Sequence, residues 1–176
     1  MYMDILEYNG KMYKRQGQKW SDMDGCIVYD ILQVELNAKY IETIDLPSLT
    51  LQEIIEHGDK FKNSSSYGYA LRFYEHAAKE ANENDLAYIL PRMTSCYRLQ
   101  GQPKKAIDIL SFAKSKYGAK MITPVLLTSA AAAYCDLEDY ENAKKCCNRA
   151  YAALGGKSSG ELASVYARIK KNRKEF

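Results

Sequence analysis

Three stretches of this chain align on one another without gaps: Tyr67, Ala70, Tyr74 and Ala77; Pro103, Ala106, Leu110 and Ala113; Tyr140, Ala143, Cys147 and Ala150. Each has the spacing +3, +4, +3, which is one stripe of an α-helix. Six residues before each stretch stands an aromatic ring, Phe61, Tyr97 or Tyr134, and three residues earlier a small or fairly small one, Gly58, Thr94 or Ala131. Four further back lies Ile54, Leu90 or Leu127. A unit of helix, tight turn and second helix repeats, and a period of this kind constrains the fold more than any composition does. The alanines have a physical reason: two antiparallel helices approach closely only where one presents a small side chain to the other. The turns at 62–66, 99–102 and 137–139 carry Asn, Ser, Gly, Gln and Asp, which suit helix ends.

Ala131-x-x-Tyr134 followed by Glu138-Asp139-Tyr140-x-x-Ala143-x-x-x-Cys147-x-x-Ala150 resembles the tetratricopeptide-repeat family. So does Tyr97-Arg98-Leu99-Gln100-Gly101-Gln102-Pro103-Lys104-Lys105-Ala106-Ile107. The resemblance covers about residues 50–157. It implies a mainly α fold, a stack of three antiparallel helical hairpins forming an α-α superhelix. The copies recur after 36 and 37 residues, longer than the family's usual period, which places extra residues at 82–85 and 119–123. Pro91 falls within the first helix of the second copy and predicts a kink or a shortened helix there. Leu162, Val165, Tyr166 and Ile169 share one face of 161–174, read as a helix capping the stack, with Lys170, Lys171, Arg173 and Lys174 at its negative end.

Residues 1–47 follow no repeat and form a separate small α/β appendage; the helical repeat domain occupies 48–176. Asn9-Gly10 between Ile5–Tyr8 and Lys11–Lys14 predicts a two-residue β-hairpin. Trp20 is expected in a third short strand, and Leu32, Leu36 and Tyr40 in an amphipathic helix opened by Asp30. Pro47 marks the boundary, and Thr50-x-x-Glu53 restarts a helix with capping-box spacing.

Composition excludes several functions. A net charge of +3 is far from the clustered excess that neutralises many phosphates, so nucleic acid is not the expected partner. The 5 cysteines, at 26, 96, 135, 146 and 147, include no C-x-x-C pair, and His57 and His76 are the 2 histidines available to a metal site. No disulfide framework, metal site or cofactor is expected, and a reducing, cytoplasmic setting is. The N-terminus shows no secretory signal, and Pro124–Tyr134 is too short to cross a bilayer. Asp22, Asp24 and Gly25 lack the remaining ligands of a calcium loop, and Gly155-Gly156-Lys157-Ser158 lacks the glycine spacing of a phosphate loop. No catalytic set emerges, and the chain reads as a non-enzymatic scaffold for protein–protein interaction.

The family resemblance implies a peptide-binding groove lined by the first helix of each hairpin. Its exposed slots fall on Ile55, Asp59 and Lys62 in the first copy. They fall on Tyr88, Arg92, Ser95 and Arg98 in the second, and on Thr128, Ala132 and Cys135 in the third. The family's clamp for a terminal carboxylate requires Lys and Asn where this sequence has Ile55, Asp59, Arg92, Val125 and Ser129, so the expected ligand is a different peptide or partner protein. Arg92 and Arg98 suit an acidic side chain or a phosphate. Two other readings stand beside this one: phosphate contacts by Lys11, Lys14, Arg15 and Lys19 of the hairpin, or thiol chemistry at Cys146 or Cys147. Three repeats are near the minimum for a free-standing stack, which leaves self-association through an exposed end open. Of the 15 tyrosines, Tyr67, Tyr74, Tyr97, Tyr134 and Tyr140 belong to the repeat register, and Tyr88 falls on the groove.

Overall fold

A computed structural model of the chain describes residues 2–9, 11–16, 19–22, 26, 28, 34 and 39–172. It contains four strands, β1 (Tyr2–Tyr8), β2 (Lys11–Gln16), β3 (Lys19–Asp22) and β4 (Lys39–Asp45). After a 3-10 turn at Leu46–Ser48 come α1 (Leu51–Asn63), α2 (Tyr67–Glu80), α3 (Glu83–Leu99) and α4 (Pro103–Tyr117). A second 3-10 turn, Ala119–Met121, leads to α5 (Pro124–Asp136), α6 (Tyr140–Ala153) and α7 (Gly160–Asn172). The chain forms two compact units, Met1–Ala77 and Ala78–Phe176.

In the first unit the strands form an antiparallel sheet in the order β3-β2-β1-β4. The hairpin turns where the sequence places it: Tyr8 faces Lys11, and Asn9 takes a φ of 51°. Trp20 lies in β3, opposite Arg15, and packs with Leu6 and Val34, with Tyr8 and Tyr13 against them. The expected helix through Tyr40 does not extend that far, because Tyr40 is in β4 and pairs with Leu6 across a register shift in β1. Asp30, Leu32 and Leu36 lie outside the described residues. Val34 is helical.

Thr50 and Glu53 make the expected capping box at the start of α1: the Thr50 backbone N–H donates to Glu53 Oε2 at 2.8 Å, and the Glu53 N–H to Thr50 Oγ1 at 3.3 Å. The α1–α2 hairpin then closes on rings, with Phe61 5.4 Å from Tyr69 and 5.3 Å from Phe73 between centroids. Gly58 is small because a Cβ there would stand 2.5 Å from the buried ring of Tyr74. The Tyr74 hydroxyl donates to Asp59 Oδ1 at 2.6 Å.

In the second unit α3 packs on α4 and α5, α4 on α5, α5 on α6, and α7 on both α5 and α6. One cluster gathers Leu86, Leu90, Ile109, Ala113, Met121 and Leu126. Another joins α5 and α6 to Leu162, Val165 and Ile169 of α7. All six alanines of the aligned stretches are 0% exposed. Pro91 does not shorten its helix: α3 runs unbroken on both sides of it. The proline removes one backbone donor, but the turns before and after it remain held by their own bonds and by the buried side chains Leu86, Ile89 and Thr94. The longer period is taken up between hairpins, where Asn82 caps α3 through the N–H groups of Asn84 and Asp85, and Thr123 caps α5 through that of Leu126.

Candidate functional site

The second helical unit presents one continuous stripe of α3 built from Tyr88, Arg92, Ser95 and Arg98, at helical spacing. Tyr88 is 69% exposed, the largest value among the exposed large hydrophobic residues described. Burying such a ring in water's absence is favourable, so an aromatic side chain left this bare by the fold is available to a second surface. The Arg92 guanidinium lies 5.9 Å from the Tyr88 ring centroid, and its Nη1 donates to the Tyr88 carbonyl at 3.0 Å. Tyrosine and arginine thus form one half-ordered pair, apolar on one side and cationic on the other.

Arg98 serves a different purpose. Its Nη1 reaches Asp136 Oδ2 at 3.4 Å, while Arg168 Nη2 donates to Asp136 Oδ1 at 2.6 Å. One carboxylate from the end of α5 therefore ties α3 to α7. Asp136 and Arg168 are absent from the sequence-derived set because they lie 38 and 32 residues from their partners, and no local pattern marks such a pairing.

The remaining groove positions divide by burial. Ile55, Asp59 and Lys62 share a stripe of α1 in the first unit; Ile55 is buried at 8% exposure, Asp59 accepts from Tyr74, and Lys62 is half-buried. Thr128 and Ala132 are 3% and 4% exposed. Thr128 donates to the Pro124 carbonyl at 2.9 Å, and Ala132 and Cys135 belong to the cluster that receives α7. The helix expected as a cap therefore covers the α5 slots, and the stripe of α3 is the exposed part of the expected groove in this unit.

The other candidate residues have structural occupations. Lys14 is buried at 5% exposure, with Nζ 5.6 Å from the centroid of Tyr69. Arg15 donates to Asp4 Oδ2 through Nε at 3.0 Å and Nη2 at 2.8 Å, and its guanidinium lies 5.5 Å from the Trp20 ring centroid. Cys135, Cys146 and Cys147 are buried. Burial pushes all three thiols up, Cys147 to about 12, which opposes formation of the nucleophilic thiolate at neutral pH. Among the described residues no group of three His, Cys, Asp or Glu side chains is placed to hold a metal ion, and no helix is long and apolar enough to cross a membrane.

No family model matches the sequence, and no curated protein matches it significantly. Among solved structures, the chain is similar to the tetratricopeptide-repeat domain of Sgt2 from Aspergillus fumigatus. That similarity has a TM-score of 0.61 at 20% identity, covering 71% of this chain and 80% of that one. With the hairpin register, the buried alanines and the ring positions, this likeness shows a tetratricopeptide-repeat-like fold.

Proposed function

We propose that this protein is an interaction module that holds a segment of a partner protein against the α3 stripe, with Tyr88 and Arg92 as its anchors. The observation that carries the reading is the bare Tyr88 ring with the Arg92 guanidinium beside it. Such a pair suits an extended or helical peptide with an apolar side chain next to an acidic one: the first covers the ring, and the second meets the guanidinium in a bidentate, charge-assisted bond. Arg98 contributes charge at the edge but is committed to the scaffold through Asp136. The groups act by burial and charge pairing, and no covalent step is required. The Sgt2 domain supports the reading at the level of fold.

The test separates the two arginines. An array of acidic and apolar peptides is screened against the full chain, and the best binder is titrated against Tyr88→Ala, Arg92→Glu and Ser95→Ala. Truncating an anchor ring or reversing an anchor charge weakens binding by about tenfold or more while the far-ultraviolet circular dichroism stays unchanged. Equal affinity for Arg92→Glu and the parent chain would remove the α3 stripe as the binding face.

A further inference from the structure

A pocket of about 270 Å³ opens between α4, α5 and α6, and none of its lining residues belongs to the α3 stripe. Its charge comes from two facing walls. Lys114 stands in the last turn of α4, while Lys145 and Arg149, one helical turn apart, come from α6. Ser111, one turn before Lys114, and the half-buried Tyr134 of α5 add hydroxyl groups. Leu110 and Ile122 supply an apolar floor, each packed against the neighbouring cores.

No carboxylate lines this pocket. Asp139, at the N-cap of α6, is the acidic group whose charge acts on Lys145 and Cys146. Both of its oxygens are occupied, Oδ1 accepting from the Asn142 backbone N–H at 3.1 Å and Oδ2 from Asn142 Nδ2 at 2.7 Å. Three cations against that one anion leave an excess of two positive charges around a partly enclosed space, and like charges so placed repel until an anion enters. Cations on a single helix would be an ordinary solvated face. Here they converge from separate helices with hydroxyl donors between them, an arrangement that suits one multiply charged oxyanion.

We propose that this pocket binds a phosphate monoester carried on a short apolar or aromatic skeleton. A dianion matches the excess charge, and its three terminal oxygens match the ammonium, guanidinium and hydroxyl donors. A carboxylate has one charge and two oxygens and leaves part of the donor set unused. The apolar floor receives the skeleton. The volume equals roughly nine waters at ~30 Å³ each, which fits one phosphorylated side chain or one small free ester.

Calorimetry on the full chain at low ionic strength, with inorganic phosphate, phenyl phosphate, benzenesulfonate and a short phosphotyrosyl peptide, tests the site. Phenyl phosphate is expected to saturate a single site and to exceed both inorganic phosphate and benzenesulfonate in affinity by about tenfold. Lys114→Glu with Arg149→Glu is expected to weaken it by a further factor of about ten or more, and Lys104→Glu, an exposed charge change on α4 outside the pocket, to leave it within about twofold. Where circular dichroism shows the double variant unfolded, Ser111→Asp reads the same point by placing a carboxylate among the donors. A peptide that binds more tightly than phenyl phosphate assigns a phosphorylated protein as the source, and the reverse assigns a free ester. Absence of saturable binding, or equal loss in Lys104→Glu and the pocket variants, overturns the proposal. None of these variants touches Tyr88 or Arg92, so failure here leaves the peptide face untouched.

Discussion

Ser65, Gly101 and Glu138 occupy the same place in the three hairpin turns with three unlike side chains, and all are left-handed, with φ of 62°, 74° and 60°. The backbone bonding repeats with them. Ser66 N–H reaches the Phe61 carbonyl, Gln102 N–H that of Tyr97, and Asp139 N–H that of Tyr134, each at 2.9 Å. This is the six-to-one bond of a Schellman ending, so the aromatic slot of the repeat fills the space between helices and also supplies the carbonyl that closes the turn. Gly156 N–H to the Tyr151 carbonyl at 3.0 Å repeats the ending after α6. An L-residue pays about 1–2 kcal/mol in this conformation, and glycine loses about 0.5–1 kcal/mol on being ordered. The difference predicts that Ser65→Gly and Glu138→Gly, both exposed, gain about 0.5 kcal/mol each, while Gly101→Ala loses about 1 kcal/mol in urea unfolding. Nothing lies within 4 Å of a Cβ built on Gly101, so that loss isolates the backbone term. A second residue-scale prediction concerns the thiols. Cys26 is exposed and the other four are buried, so iodoacetamide on the folded chain should add one label by mass spectrometry, with the rest appearing only after denaturation. A second rapidly labelled site would restore the thiol reading.

At the scale of elements, α7 is held by two kinds of force of different size. Leu162, Val165 and Ile169 are buried at 0%, 3% and 4% exposure against α5 and α6. The Arg98–Asp136–Arg168 link lies at the rim, with side chains 21%, 25% and 40% exposed. Burial decides the stability: Leu162→Ala is expected to cost about 2–5 kcal/mol, whereas Asp136→Asn should cost about 0.5–1.5 kcal/mol and lose its effect in high salt. Denaturant titrations at two salt concentrations read both, and a salt-independent loss in Asp136→Asn would mean the carboxylate acts through packing instead.

The helices, turns and buried alanines were legible because their determinants are local and recur: one slot seen three times reveals its purpose. Lys39–Asp45 was not, since Leu32, Leu36 and Tyr40 continue a helical spacing while the pairing that makes a strand of the segment comes from β1, more than thirty residues away. Short apolar runs do not separate the two states by period alone. The binding face shows the same division. The stripe of Tyr88 and Arg92 follows from helix geometry, but the fate of Arg98, Thr128 and Ala132 depends on α7, whose docking no local pattern states. Likewise the charge of Lys114 and that of Arg149 become one pocket only when α4 and α6 face each other.

Across the whole molecule the net charge is +3, so general self-repulsion is weak and the pH dependence of folding should follow a few individual groups. Two of these face each other in the first unit. Burial, then the charge of Arg72, lowers Lys14 from 10.5 to about 8, and burial first of all raises Tyr69 from 10.0 to about 12. Below pH 8 Lys14 is protonated in both states and the folded chain bears the cost of burying its charge. Between about 8 and 10.5 the unfolded chain holds that proton and the folded chain does not, so stability rises with pH. Above 10.0 the unfolded chain ionises its tyrosine while folded Tyr69 stays neutral, and stability falls. The two shifts together predict a maximum near pH 10, displaced from the usual range between pH 5 and 8. Lys14→Met supplies similar bulk without the charge. It should stabilise the chain at pH 7 and abolish the rise between pH 8 and 10, while leaving the fall above pH 10 in place. Guanidinium titrations at pH 7, 8, 9, 10 and 11 on both chains decide it. A rise that persists in Lys14→Met would assign the effect to another group and would mean that the β2 lysine keeps its proton against the Tyr69 ring.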